Sequence, residues 1–220
     1  MRTTFFLVVM TFSSFAAIAQ TPNNNPILPG FPQSFYWRYN PADWNVKNGV
    51  LTIKSGEKTD WYISPTDGKK SANSPMLLFP APKDFWFSAK VMVDFKSQFD
   101  AGVLAVYADE NTWVKFAFEN SVDKKPSIVS VVTRGISDDC TGTTIEGNSV
   151  YLKISKSGQA IFLYFSSDGQ KWKLARALKL GPEQPLHFRL SAQSPTGSGS
   201  TAAFSEIHFK PEALKFWTGD

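Results

Sequence analysis

Short runs of alternating apolar and polar residues fill most of the chain after residue 35, and helical periodicity is almost absent. Successive side chains of a strand point to opposite faces, so runs rich in aromatic and β-branched residues between Gly, Pro, Asn and Asp predict strands. The runs are 50–54, 61–64, 75–79, 85–95, 103–108, 113–119, 128–134, 150–155, 161–165, 172–176, 186–192 and 203–209. A dozen strands in one chain of this length predict an all-β sandwich or barrel.

The alternation also predicts which side chains face the core. The predicted core positions of two strands are Phe85, Phe87, Ala89, Val91, Val93 and Phe95, and Val150, Leu152 and Ile154. A slip of one residue would exchange the two faces, so the register is well specified. Between two later runs, the sequence Ser-Asp-Gly-Gln at 167–170 predicts a hairpin turn.

Run 113–119 carries the most information about function. Val114, Phe116 and Phe118 form an apolar face, while Trp113, Lys115, Ala117 and Glu119 form the opposite face. Burying an unpaired charge costs several kcal/mol, so this second face is either open or has its charges paired. Four residues of strand span about 13 Å, so Lys115 and Glu119 need partners from neighbouring strands. The face is either an ordinary solvated surface or a sugar-binding groove with an aromatic platform.

Composition excludes several classes of protein. Aromatic residues make up 15% of the chain and charged residues 19%, which is typical of a folded domain and not of a disordered one. The formal net charge of +4 is too small for a surface that coats nucleic acid. With two His and one Cys, a His/Cys metal centre is not expected, and the sequence assigns no metal site and no cofactor. Calcium binding by Asp138 and Asp139 stays open, although no calcium-loop pattern supports it.

The amino-terminal region predicts export. Arg2 precedes an apolar run at 5–18, and Ala-Ile-Ala at 17–19 fits a signal-peptide cleavage site before Gln20. The run is shorter than the roughly 20 residues of a membrane span, so no membrane attachment is expected after cleavage. A single cysteine excludes an intrachain disulfide, and we expect a bacterial periplasmic or secreted protein.

The predicted domain organisation has four parts. Residues 1–19 are the signal peptide, and 20–34, with four prolines and three consecutive asparagines, are a linker or irregular lead-in. Residues 35–210 form the β-sandwich domain, and 211–220 form a C-terminal tail.

Several motifs in a fixed order resemble a known family. They are TDWY at 59–62, KDF at 83–85, AGVL at 101–104, NTWVKFAFE at 111–119, VVTRGISD at 131–138, Asp168-Gly169 with Trp172 and Arg176, and AQSP at 192–195. In combination they resemble the bacterial domain-of-unknown-function family labelled "regulation of enolase protein", within the concanavalin A-like lectin/glucanase superfamily. The resemblance covers roughly residues 35–210. Enolase is cytoplasmic and this chain is predicted to be exported, so the label does not fix a function.

The resemblance implies a jelly-roll sandwich of two curved antiparallel sheets, with glycans or polysaccharides on the concave sheet. Nine positions match the family pattern and are predicted to face this groove: Asp60, Trp61, Trp113, Lys115, Glu119, Thr133, Ser137, Asp138 and Arg176. Trp113 and Trp61 are predicted to stack on sugar rings. Lys115, Glu119, Asp138 and Arg176 are predicted to hydrogen-bond hydroxyls or an acidic sugar.

The related glucanases carry a Glu-x-Asp-x-Glu strand, and none of the seven glutamates here lies in such a pattern. The sequence therefore favours glycan binding without catalysis and assigns no catalytic residue. Two alternatives stay open. One is a glycoside hydrolase-like enzyme that pairs Glu119 with Asp138 or Asp60. The other is a structural or protein-interaction sandwich. The sugar, its linkage and the oligomeric state are not predicted.

Overall fold

A computed structural model describes residues 25–28, 30–31, 35–215 and 217–219, and the predicted signal peptide lies outside these ranges. Within them the regular structure consists of sixteen strands. They are β1 Tyr36–Tyr39, β2 Asp43–Lys47, β3 Val50–Lys54, β4 Trp61–Ile63, β5 Lys70–Ala72, β6 Met76–Pro80, β7 Phe85–Asp94, β8 Ala101–Asp109, β9 Thr112–Asn120, β10 Pro126–Arg134, β11 Ser137–Thr144, β12 Ser149–Ser157, β13 Ala160–Ser166, β14 Lys173–Lys179, β15 His187–Gln193 and β16 Thr201–Lys210. The described part of the chain contains no helix of the length and apolarity that a membrane crossing requires.

Two seven-stranded antiparallel sheets form a sandwich. The front sheet has the order β1-β6-β15-β8-β9-β10-β11, and the back sheet has the order β14-β13-β12-β7-β16-β3-β2. Strands β4 and β5 form a separate two-stranded hairpin, called the covering hairpin below. This architecture confirms the predicted all-β, concanavalin A-like jelly-roll fold.

The main core lies between the two sheets. The side chains that alternation assigned to it are buried, including Phe87 and Val91 of β7, Leu152 of β12 and Phe116 of β9. Only Phe95, beyond the end of β7, is partly buried. Burial of such large aromatic and aliphatic side chains contributes most of the favourable free energy of folding.

Each of the twelve predicted runs coincides with a strand, but four strands were not predicted. These are β1, β2, β5 and β11. Strand β11 reads Ser-Asp-Asp-Cys-Thr-Gly-Thr-Thr and exposes every side chain after Ser137. It forms the edge of the front sheet and is held by its ladder with β10, so it lacks the apolar alternation that identifies a buried strand.

Both ends of the described chain pack onto the sandwich. In the lead-in, Leu28 is buried, and the ring of Phe31 stacks on Phe209 with centroids 5.3 Å apart. In the C-terminal tail, the carbonyl oxygen of Gly219 accepts a hydrogen bond of 2.5 Å from Lys153 Nζ. These segments therefore contact the sandwich, and the predicted domain boundaries stay a prediction.

Candidate functional site

The polar residues of the candidate site lie in two rows across the outer face of the front sheet. This is the polar face that alternation in run 113–119 predicted. Directly opposed residues of neighbouring strands point to the same face of a sheet. One row contains Gln193, Ala101, Glu119 and Ser127, and another contains Arg189, Ala105, Lys115, Val131 and Asp139. The register thus brings Lys115 and Glu119 onto the same face as polar groups of β15 and β11.

The covering hairpin lies over the apolar part of this face. Its Trp61 ring is 6.5 Å from that of Trp113 and 6.2 Å from that of Tyr107, measured between centroids. Trp61 and Trp113 are each only 1% exposed. The prediction that these two tryptophans form an open platform for sugar rings is therefore wrong. They form a second apolar cluster with small side chains such as Val103, and this burial stabilises the hairpin on the sheet.

Polar contacts fix the covering hairpin in place. The Lys115 ammonium lies 3.5 Å from Asp60 Oδ1 and donates to the Trp61 carbonyl oxygen at 3.4 Å. At the other end, Ile63 N donates to Ser137 Oγ at 2.9 Å, and Ser137 and Thr133 share a hydrogen bond of 2.9 Å. Thr133 and Ser137 are buried, and these contacts give them a structural role in holding the covering hairpin.

Beside the hairpin, the outer face retains a pocket of about 210 Å³, which we call the front pocket. Its lining combines aromatic and polar side chains: Asp60, Tyr62, Phe99, Lys115, Glu119, Asp139, Gln193 and Pro195. The volume is below the range of about 300–1,000 Å³ that is usual for drug-sized ligands. The front pocket is therefore suited to one small ring or to the end of a longer ligand.

Gln193 connects the polar groups of the front pocket. Its Oε1 accepts a hydrogen bond from Lys115 Nζ at 3.2 Å, and its Nε2 donates to Glu119 Oε2 at 3.3 Å and to the Phe99 carbonyl oxygen at 3.3 Å. Lys115 and Glu119 thus take their partners from other strands, as expected. Because the side chains hold one another, the donors and acceptors are ordered before any ligand arrives.

Burial changes the charge state of the pocket. Burial raises the pKa of Glu119 to about 8, although the nearby Lys115 ammonium opposes this change and Asp139 and Asp60 reinforce it. Partial desolvation at the pocket wall likewise raises the pKa of Asp139, although much of this side chain is exposed. At neutral pH Glu119 is therefore mostly protonated, and its carboxyl group can both donate and accept a hydrogen bond. The pocket thus holds a neutral acid beside an ammonium group.

Asp138 and Arg176 do not belong to this site. Asp138 lies opposite Val132, so it points to the other face of the front sheet from Asp139. Its Oδ2 is 2.9 Å from Arg176 NH2 of β14, the edge strand of the back sheet. The Arg176 NH1 group also donates to Ser130 Oγ at 3.3 Å. This ion pair joins the two sheets at their edges, outside the front pocket, and the predicted ligand-binding role of the pair stays a prediction.

Of the nine predicted positions, Asp60, Lys115 and Glu119 line the front pocket, and their binding role stays a prediction. Five lining residues were not in the predicted set: Tyr62, Phe99, Asp139, Gln193 and Pro195. Alternation in run 186–192 already places residue 193 on the face opposite the core, so the position of Gln193 was predictable from the pattern. Phe99 was not, because it lies in an irregular segment between β7 and β8 with φ of 68°.

The pocket chemistry fits hydrogen bonding to a polar ligand with an apolar side. In the described ranges, no three or more His, Cys, Asp or Glu side chains are grouped to hold a metal ion. Tyr62 and Phe99 supply aromatic surface, while Lys115, Gln193 and the carboxyl groups supply donors and acceptors. A protonated Glu119 is also a group that can act as a general acid.

A family model described as "Protein of unknown function (DUF1349)" matches residues 37–212. The chain belongs to this family. The match agrees with the resemblance to a family of unknown function, whereas the enolase label and a bacterial source stay predictions. No protein of curated function matches the DUF1349 chain.

Solved structures share the fold of this DUF1349 protein. A functionally unknown protein from Saccharomyces cerevisiae is 22% identical, with a TM-score of 0.73 over 83% of this chain and 97% of that one. The GH43 protein BlXynB from Bacillus licheniformis is 16% identical, with a TM-score of 0.61 over 79% of this chain and 36% of that one. The alginate lyase from Klebsiella pneumoniae is 12% identical, with a TM-score of 0.53 over 78% of this chain and 85% of that one. The DUF1349 chain spans about a third of the length of BlXynB. At these identities the similarity shows the fold alone.

Proposed function

We propose that this protein is an exported glycan-binding protein that holds a sugar residue in the front pocket. The observation that carries the proposal is the lining of that pocket, where Tyr62 and Phe99 adjoin Lys115, Gln193 and Glu119. A sugar ring has an apolar face that packs against aromatic side chains, and its hydroxyl groups both donate and accept hydrogen bonds. A sugar ring therefore matches this mixture of surfaces.

The bound sugar interacts with groups that are already positioned. Lys115 and Gln193 keep their mutual hydrogen bond, so binding orders few side chains. Glu119 is protonated at neutral pH and donates to a ligand oxygen without requiring a cationic partner. Because Trp61 and Trp113 are covered, the ligand contacts one pocket and not a groove along the whole sheet.

The fold and the sequence support the proposal from two other directions. Proteins of the same fold include the alginate lyase and BlXynB, whose names place them among proteins that act on polysaccharides or glycosides. Residues 1–19 have the pattern of a signal peptide, so we propose a bacterial periplasmic or secreted location, where polysaccharides are accessible.

One observation favours a second candidate, a glycoside hydrolase-like enzyme. The raised pKa of Glu119 is the property of a general acid, and Asp139 and Asp60 line the same pocket. Glycoside hydrolysis needs such an acid together with a second carboxylate that acts as base or nucleophile. In this candidate, Glu119 protonates the leaving oxygen and the second carboxylate is Asp139 or Asp60, since Asp138 faces away.

The test is calorimetric titration of the purified protein with soluble xylan, glucan, mannan and alginate oligosaccharides, followed by product analysis after long incubation. We expect saturable binding of an intact glycan, weakened about tenfold by Tyr62→Ala, which corresponds to about 1.4 kcal/mol of lost aromatic contact. The matched control is Tyr36→Ala, because Tyr36 is partly exposed on β1 and lies outside the pocket.

Three results distinguish the candidates. Cleaved glycan that disappears in Glu119→Gln establishes the enzyme. Binding that Tyr62→Ala and Tyr36→Ala affect equally contradicts the front-pocket assignment. The lack of binding across the whole panel contradicts the proposal and favours a structural or protein-interaction role.

A further inference from the structure

A second cavity lies on the opposite side of the sandwich, beneath the C-terminal tail. Leu214, Lys215 and Trp217 of the tail lie beside β12 and β13 on the outer face of the back sheet and enclose a cavity of about 340 Å³, which we call the tail pocket. Next to it, the tail is anchored by the hydrogen bond from Lys153 Nζ to the Gly219 carbonyl oxygen. The Lys153 ammonium also lies 3.8 Å from the centroid of the Trp172 ring.

Aromatic rings form two walls of the tail pocket at an angle to each other. Phe162 and Tyr164 are two residues apart on β13, so both point to the outer face, and their centroids are 6.3 Å apart with planes inclined by 27°. The Trp217 ring is 4.8 Å from Phe162 and inclined by 64°. Trp217 is 69% exposed, which leaves its indole accessible to a ligand that enters the pocket.

The polar lining of the tail pocket contains a hydroxyl group without a partner. Ser155 of β12 is 1% exposed and lines the pocket, and its Oγ makes no hydrogen bond to any of the described residues. A buried hydroxyl group usually has a partner, so an orphan group at a cavity wall indicates that a ligand or water completes it. Ser157 and the Lys215 ammonium add further polar groups at the same pocket.

We propose that the tail pocket is a second carbohydrate-binding site, which takes one sugar ring of a neutral glycan against the exposed indole of Trp217. The sugar ring packs its apolar face on the Trp217 indole, and one of its hydroxyl groups completes the hydrogen bonding of Ser155. The volume of about 340 Å³ lies within the range of small-molecule sites. Because the two pockets are on opposite outer faces, this site does not depend on ligand binding in the front pocket.

Fluorine NMR of the full-length protein labelled with 5-fluorotryptophan tests this site directly. The chain has seven tryptophans, and the resonance that disappears in Trp217→Phe belongs to Trp217. The probes are neutral xylo-, cello- and manno-oligosaccharides. We expect at least one of them to shift the Trp217 resonance in a saturable manner. Ser155→Ala is expected to weaken this binding at least about fivefold while leaving the unfolding midpoint unchanged or raised, because it removes an unsatisfied polar group.

Two control variants separate this site from the front pocket and from general surface effects. Tyr62→Ala is expected to leave the Trp217 titration unchanged, so failure of the front-pocket proposal would not remove this signal. Met92→Ala is the matched surface control, because Met92 is exposed on the same sheet face outside the pocket. A Trp217 resonance that no probe shifts, or a shift that Ser155→Ala leaves at full affinity, would overturn the proposal.

Discussion

Replacement of Glu119 by Gln is expected to change how stability depends on pH. Burial raises the pKa of this carboxyl group from 4.5 to about 8 in the folded protein, whereas the unfolded chain keeps a pKa near 4.5. The folded state therefore holds this proton more tightly, and stability falls as pH rises from about 4.5 to about 8. Below this window both states are protonated and Glu119 has no such effect.

The size of the effect follows from the two pKa values. Between pH 5 and pH 9, linkage through one group with these values lowers the free energy of unfolding by about 4 kcal/mol. Urea unfolding at both pH values measures this loss. Wild type is expected to lose about 4 kcal/mol more than Glu119→Gln, since other titrating groups are common to both proteins.

Glu146→Gln is the matched control, because Glu146 is exposed and lies outside the front pocket. It is expected to follow wild type at both pH values. If wild type and Glu119→Gln lost the same stability between pH 5 and pH 9, Glu119 of the folded protein would be ionised over this whole pH range. The argument that it acts as a neutral hydrogen-bond donor would then be refuted.

Four further predictions concern packing, the site and processing. Gly102→Ala is expected to cost about 1–3 kcal/mol in urea unfolding, because its new Cβ would lie 2.5 Å from Val91 Cγ1. Asp138→Asn is expected to cost at most about 1 kcal/mol and to leave calorimetric glycan affinity unchanged, because it breaks an exposed ion pair away from the pocket. Glycan affinity measured against pH is expected to fall as pH rises through about 8, where Glu119 loses its proton, and this fall should be absent in Glu119→Gln. Amino-terminal sequencing of the protein exported by a bacterial host is expected to begin at Gln20, and an intact Met1 would contradict export through the predicted signal peptide.

Local alternation was sufficient to predict the strands and their core faces, because it depends only on neighbouring residues, whereas the jelly-roll fold was implied by the family resemblance. Val114, Phe116 and Phe118 could be assigned to the core from their own strand, and the structure buries all three. Strand β11 escaped prediction because an edge strand held by backbone hydrogen bonds needs no apolar alternation.

The candidate site was predicted less completely because it depends on contacts between distant parts of the chain. The pattern at 113–119 identified a polar face, but not that a hairpin beginning at Trp61 would cover Trp113. The same limit applies to Asp138, since its partner Arg176 lies on the other sheet. Alternation alone places Asp138 and Asp139 on opposite faces, yet it does not say which face becomes the pocket.

The position of a bound glycan tests the central claim most directly. A crystal structure of the protein with the tightest-binding oligosaccharide of the panel would show it. We expect a sugar ring in the front pocket, packed against Tyr62 and within hydrogen-bond distance of Lys115 or Gln193. A glycan bound to the protein with the front pocket unoccupied would contradict the claim, whether or not the tail pocket held a sugar.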